Sequence, residues 1–228
     1  MTGPHRTPLA QEVIEALRAA IAAGEWPVGQ RIPAEPALME RFSVSRGTLR
    51  EAIKALAHAG MLQVRRGDGT YVRTDSEIQG AVQQAYDRHV DEDVLQVRFA
   101  LDAQAARLAA AAADAPAIEG LRAILSERRR AWAAEDVEAW IAADWEFHLA
   151  VARASGNALL VELYASFGDV FHGTKTAQRL QAGFDGCRAA GHEEVLEAIV
   201  AGDGEAAARS TTDNLTYCLS FTAAGEAG

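Results

Sequence analysis

Asp144 and His148 stand four residues apart in the stretch Trp140-Ile-Ala-Ala-Asp-Trp-Glu-Phe-His-Leu-Ala150. On a helix that spacing projects a carboxylate and an imidazole from one face, where they can share a cation. His192 opens a second apolar segment, Gly191-His-Glu-Glu-Val-Leu-Glu-Ala-Ile-Val200. One carboxylate and two imidazoles from different helices form a donor set for a divalent ion of the zinc, nickel or manganese kind. The same i,i+4 pair also reads as a plain hydrogen bond on a helix surface, and spacing alone leaves the two readings level. A second group with chemical potential is Ser45, Arg46, Thr48 and Arg50, followed by Lys54, on the face opposite Leu49, Ile53 and Leu56. Hydroxyls and guanidinium groups at the N-terminal end of a helix that follows a tight turn can reach base edges and phosphates. The small basic turn Arg66-Gly-Asp-Gly69 suits a minor groove or a phosphate backbone.

The elements that must position these residues divide the chain in two. Its 228 residues are 49% hydrophobic and carry 22 basic against 32 acidic side chains, a net charge of −10. Disordered and collagen-like classes are excluded by that composition. No apolar run approaches the roughly 20 residues of a membrane span, and the N-terminal residues lack the apolar centre of a signal peptide, so a cytoplasmic protein is expected. Cys187 and Cys218 are expected as free thiols in that reducing setting. A pI near 5.1 argues at first against nucleic acid. Through Asp75, however, ten basic residues face eight acidic ones, and the remainder carries twelve against twenty-four. The first part also holds five of the six prolines. Two domains follow, residues 1–75 and 76–228, joined near Thr74 to Ile78.

In the first domain, Leu9, Val13, Ile14, Leu17 and Ile21 predict a helix that stops at Gly24. A turn-rich stretch precedes a short helix from about Glu35 to Phe42, and Ser45 caps a third that runs to Gly60. Residues 61–73 alternate enough for two strands around the Arg66 turn. The second domain reads as six or seven helices with breaks near Asp91, Asp114 to Ala117, Glu135-Asp136, Gly156, Gly173, Gly183 to Gly186 and Gly202 to Gly204. Such helices bury their apolar stripes only against one another, which predicts an all-α antiparallel bundle. The alanines from Ala103 to Ala113 permit close helix packing, and Arg128-Arg-Arg130 reads as a solvated face.

The motifs carry a resemblance. Gly24, Gly29, Ile32-Pro-Ala-Glu35, Val44-Ser-Arg-Gly-Thr-Leu-Arg-Glu-Ala52 and Gly67-Asp-Gly-Thr-Tyr-Val72 resemble, in order, the winged helix-turn-helix of GntR-type bacterial transcription regulators. The resemblance implies an α+β DNA-binding domain in which Ser45, Arg46, Thr48 and Arg50 contact operator DNA, with Arg66 and Gly67 at the wing tip. Many relatives carry Arg directly after the Pro-x-Glu turn; Pro36 stands there in this chain and removes that contact.

The second domain resembles the helical, FCD-type ligand-binding domain of the fatty-acid-regulator branch of the same family. The matching motifs are Arg98-Phe-Ala-Leu-Asp102, Asp144-Trp-Glu-Phe-His148, Ser155-Gly-Asn157 and His192-Glu-Glu-Val-Leu-Glu-Ala-Ile199. Metal-binding relatives supply one Asp and three His. Asp144, His148 and His192 match three of these, and the fourth falls on Asn214, a weak ligand or a group behind the ligands. The resemblance further implies a retained divalent metal, zinc first, with Arg98 receiving the carboxylate of a small organic or sugar acid. Tyr164, Phe167, Phe171, His172, Lys175 and Arg179 are candidates to line that pocket. The expected protein is therefore a homodimeric, ligand-responsive transcription regulator, a repressor reading palindromic double-stranded DNA and not an enzyme. The competing readings are a metal-dependent hydrolase or lyase at the Asp/His/His site and a metal-free regulator that binds an acyl chain.

Overall fold

Apolar residues at every third or fourth position build the first helix, α1 (Leu9–Ala22), which buries Val13, Leu17 and Ile21 and leaves Leu9 exposed. This helix belongs to a computed structural model that describes residues 9–86, 88, 89, 91–168 and 191–224, with the backbone alone at 91, 92, 95, 215 and 217–224. Helix α2 (Glu35–Phe42) begins with Pro36 in its first turn, where a missing N–H costs nothing because that donor has no helical partner. Helix α3 (Arg46–His58) starts at Ser45, whose side chain accepts a hydrogen bond from the Thr48 N–H at 3.2 Å. Leu49, Ile53 and Leu56 of α3 close a core with Leu17, Ile21, Leu38, Met61 and Val72.

Strands β1 (Leu62–Arg65) and β2 (Gly69–Val72) form an antiparallel hairpin, with Leu62 opposite Val72 and Arg65 opposite Gly69. Gly67 turns the tip with φ +77°. The stretch after α1 runs along β2: the Ile32 N–H donates to Thr70 O and the Gly29 N–H to Val72 O, at 2.9 and 2.8 Å.

Contacts divide the chain into two compact units, Met1–Asp87 and Arg88–Gly228. Sequence texture puts the junction after Asp75; in the structure α4 (Glu77–Tyr86) packs on the first unit. Gly60 and Gly80 make this possible. Gly60 (φ +81°) ends α3, and the backbones approach so closely that a Cβ on Gly80 would lie 2.4 Å from Ala59 O. Gln84 then donates to the His58 carbonyl at 2.9 Å, satisfying an acceptor at the end of α3, and Arg18 of α1 pairs with Glu77. Gly80→Ala is expected to cost the first unit about 1–3 kcal/mol through this overpacking. Urea melting of the full chain should register a lower midpoint, and an unchanged one would mean that the crossing yields freely.

The second unit contains α5 (Asp91–Ala112), α6 (Ala115–Ala133), α7 (Val137–Ala154), α8 (Ala158–Ala165), α9 (Gly191–Ala201) and α10 (Gly204–Ala224). Asp114, Asp136 and Asn157 cap α6, α7 and α8 by accepting N–H bonds at 2.9, 3.0 and 3.1 Å. Ala105, Ala106 and Ala109 of α5 and Ala207 of α10 are fully buried, so these helices meet at small side chains. Helix α7 is central: Trp140, Phe147 and Val151 are buried, and so are Asp144 and His148 between them. Two polar side chains on so enclosed a helix need partners. Among the described residues no helix is long and apolar enough to cross a membrane.

Candidate functional site

In the first unit, Ser45, Arg46 and Arg50 are exposed at the start of α3 and Thr48 is half-buried. Arg66 and Gly67 are exposed at the hairpin tip, so the candidate DNA-contacting positions occupy the solvent side of this unit. Glu35 had no assigned role in the sequence, yet it organises the arginines. The Arg50 Nε donates to its two carboxylate oxygens at 2.9 and 3.1 Å, and the Arg46 Nε lies 4.0 Å away. The first turn of α2 thus orients guanidinium groups on α3.

In the second unit, Asp144 and His148 of α7 meet His192 of α9, and one ligand atom from each lies within 4.8 Å of the others. The His192 Nε2 is 3.1 Å from Asp144 Oδ1 and 3.2 Å from the His148 Nε2. Both imidazoles therefore point Nε2 at a common centre. Their other nitrogens are backed. Asp102 Oδ1 lies 3.1 Å from the His148 Nδ1 and also accepts the Tyr164 hydroxyl at 2.7 Å. The Asn214 Nδ2 lies 3.2 Å from the His192 Nδ1, on the far side of the ring from Nε2. That N–H donates to Nδ1; turned over, the amide would accept the Nδ1 proton through its oxygen and free the Nε2 lone pair for a cation. Gly191 makes the room, because a Cβ there would fall 2.4 Å from Asn214 Oδ1.

The electrostatics favour the protonation states that bind a cation. Burial pushes the His192 imidazole down to about 4, against the pull of Asp144, so the ring is neutral at ordinary pH. Burial alone would raise the Asp144 carboxyl, but the His192 ring and the Arg128 guanidinium hold it well below the usual carboxylate range. Asp102 is likewise lowered against its burial, by Arg98 and His148. Neutral imidazole nitrogens and a carboxylate oxygen suit zinc, nickel or manganese, and outer groups that fix each ring's tautomer are the usual support of metal-ligating histidines. Asn214 stands behind His192, outside the cluster of Asp144, His148 and His192. Asn214→Ala is expected to weaken zinc binding about 10-fold or more while leaving the three inner groups in place. A zinc-chelator competition would measure it, and an unchanged affinity would remove Asn214 from the site.

Arg98 is buried; its Nε is 3.1 Å from Asp102 Oδ2 and 3.3 Å from the Tyr164 hydroxyl. Arg98 thus forms a buried salt bridge to Asp102 within α5. Trp145 covers this group, stacking on Tyr164 with ring centroids 5.3 Å apart. The expectation of a solvated Arg128-Arg-Arg130 face is corrected at its first residue. Arg129 and Arg130 are exposed, but Arg128 is 2% exposed and donates from Nε to Asp144 Oδ1 at 2.9 Å. Three successive helical residues point in three directions, and this one points inward. Tyr164 and Phe167 are buried, whereas Phe171, His172, Lys175, Arg179 and Cys187 lie outside the described residues, as does the side chain of Cys218.

Two family models match the chain: bacterial regulatory proteins of the gntR family over residues 9–72, and the FCD domain over residues 93–216. The chain is 33% identical over 222 residues, 92% of its own length and 84% of the relative's, to an Escherichia coli (strain K12) regulatory protein named for the L-lactate dehydrogenase operon. It is 32% identical over 214 residues, 86% of this chain and 93% of the relative, to the HTH-type transcriptional regulator LutR of Bacillus subtilis (strain 168). Among solved structures it is similar to Streptococcus agalactiae GntR, with a TM-score of 0.57 and 25% identity over 91% of this chain and 97% of that one.

Proposed function

The chain belongs to the GntR family of bacterial regulatory proteins and carries an FCD domain as its helical half, and we propose that it is a homodimeric repressor released from a palindromic operator by a small carboxylate bound at a divalent metal on Asp144, His148 and His192. Its relatives are transcription regulators, not enzymes, so the Asp/His/His cluster is read as a sensor and not as a hydrolase or lyase. The observation that carries the metal reading is the backing of both imidazoles, with Asp102 behind His148 and Asn214 behind His192. A buried hydrogen bond between two rings needs neither support; a ligand set does.

Zinc fits the donor set first, and nickel and manganese share its chemistry. Three protein ligands leave coordination positions open, and a bound ion would offer them to a carboxylate. One relative's name mentions L-lactate, a 2-hydroxy acid, which can chelate through its carboxylate and hydroxyl oxygens. A centre of ion pairs and imidazoles is chemistry for such an anion and not for an acyl chain. Two copies of the chain would present two α3 helices to successive major grooves, about 34 Å apart, and such a regulator works in the cytoplasm. Effector and operator affinities are then reciprocally coupled through the conformations each favours.

A gel-shift titration with DNA from upstream of the protein's own gene tests the reading. The zinc-loaded protein should shift it at moderate salt, and a 2-hydroxy acid should reverse the shift. Absence of a specific shift would sink the operator assignment, and a shift indifferent to every carboxylate would sink the effector assignment.

A further inference from the structure

Among the described residues two buried guanidinium groups lie beside the Asp/His/His centre; Arg98 is the expected anchor for an effector carboxylate, but its Nε is committed to Asp102 and Tyr164, behind His148. Arg128 stands differently. Its Nε donates to Asp144 Oδ1, while its Nη2, on the same edge of the guanidinium, is buried with no hydrogen-bond partner among the described residues. That edge is built to hold two oxygens with parallel bonds, and Asp144 occupies half of it. The flat face of the group lies over Trp140, 4.8 Å from the ring centroid, which holds the plane in place. A buried guanidinium donor without an acceptor is costly and calls for one.

Charge points the same way. Among the described residues, the centre holds two ion pairs, Arg98 with Asp102 and Arg128 with Asp144. A divalent ion on Asp144 would add two positive charges to this balanced set, and buried charge demands an anion. We propose that Arg128 anchors the effector, donating from Nη2 to a carboxylate oxygen of a ligand bound at the Asp144, His148 and His192 centre, and that Arg98 is a positioning residue acting through Asp102 and His148. The inference rests on the proposed carboxylate effector and adds which side chain selects it. The ligand class is an acid whose carboxylate would reach Arg128 beside the Asp144, His148 and His192 centre, with a neighbouring hydroxyl or second carboxylate as a further donor.

The test uses the full chain loaded with Co(II), whose visible spectrum reports a new ligand on the metal. Wild type and Arg128→Lys are titrated with L-lactate, L-malate and, as a neutral metal ligand, imidazole. Lysine keeps the positive charge beside Asp144 but lacks the second donor of the fork. The expected result is a carboxylate Kd at least tenfold weaker in Arg128→Lys, with the imidazole Kd within twofold of wild type. Equal carboxylate affinity in the two proteins, or an equal loss for imidazole, would overturn the Arg128 assignment alone. A wild-type spectrum that no carboxylate perturbs would overturn the carboxylate reading along with it. If Arg128→Lys fails to fold, Arg128→Gln takes its place under the same criteria.

Discussion

Asp144→Ala should lose zinc and stability together. The zinc affinity is expected to fall roughly 100-fold or more, beyond the 10–100-fold that outer groups command, because an inner ligand is removed. Independently of metal, the substitution leaves Arg128 at 2% exposure facing a missing carboxylate. Removing one partner of a buried ion pair costs about 3–5 kcal/mol, since the survivor remains desolvated and unpaired. Urea melting of the metal-free protein isolates that second effect, and a zinc-chelator competition isolates the first. Asp144→Asn separates them further: its amide oxygen can still accept from the Arg128 Nε, so stability should fall less than in Asp144→Ala while zinc is still lost. A variant that melts early yet keeps zinc within threefold of wild type would remove the metal from Asp144.

The second large effect concerns the arginines on α3. Arg46→Ala and Arg50→Ala are each expected to weaken operator binding by about 1–3 kcal/mol, because a guanidinium on a base edge carries that much discrimination. With a chain at net −10, little bulk attraction is available to compensate. Fluorescence anisotropy on operator and non-operator DNA at two salt concentrations tells the roles apart. A base reader loses operator affinity selectively, whereas a phosphate contact weakens both and flattens the salt dependence. Glu35 couples the two arginines, so the double variant should lose less than the sum of the singles. Full operator affinity in both single variants would move the reading surface off α3.

Much of this arrangement was legible in the residues. Ser45 ahead of an amphipathic run marked the start of α3, and Asp114, Asp136 and Gly156 marked helix ends where caps and a turn are found. Asp144, His148 and His192 could be grouped because helical spacing joins the first two and chain order supplied the third. What escaped was long-range. Asp102 stands in the sequence only as the end of the Arg98 motif, and only the crossing of α5 and α7 brings it behind His148. Arg128 looked like one of three equivalent arginines, since local sequence does not say which of three directions faces the bundle. Helix α4 has the composition of the helical half but the contacts of the first unit, because its attachment depends on two glycines twenty residues apart.

That attachment sets a rule for recombination. Gln84 holds the end of α3, and Gly80 rests against Gly60, so α4 and α3 behave as one piece of hardware. A chimera that grafts a foreign sensor after Asp75 discards the brace and leaves the His58 carbonyl to solvent. One spliced after Tyr86 carries the brace along, and it is there that parts from different regulators can be exchanged with the reader intact.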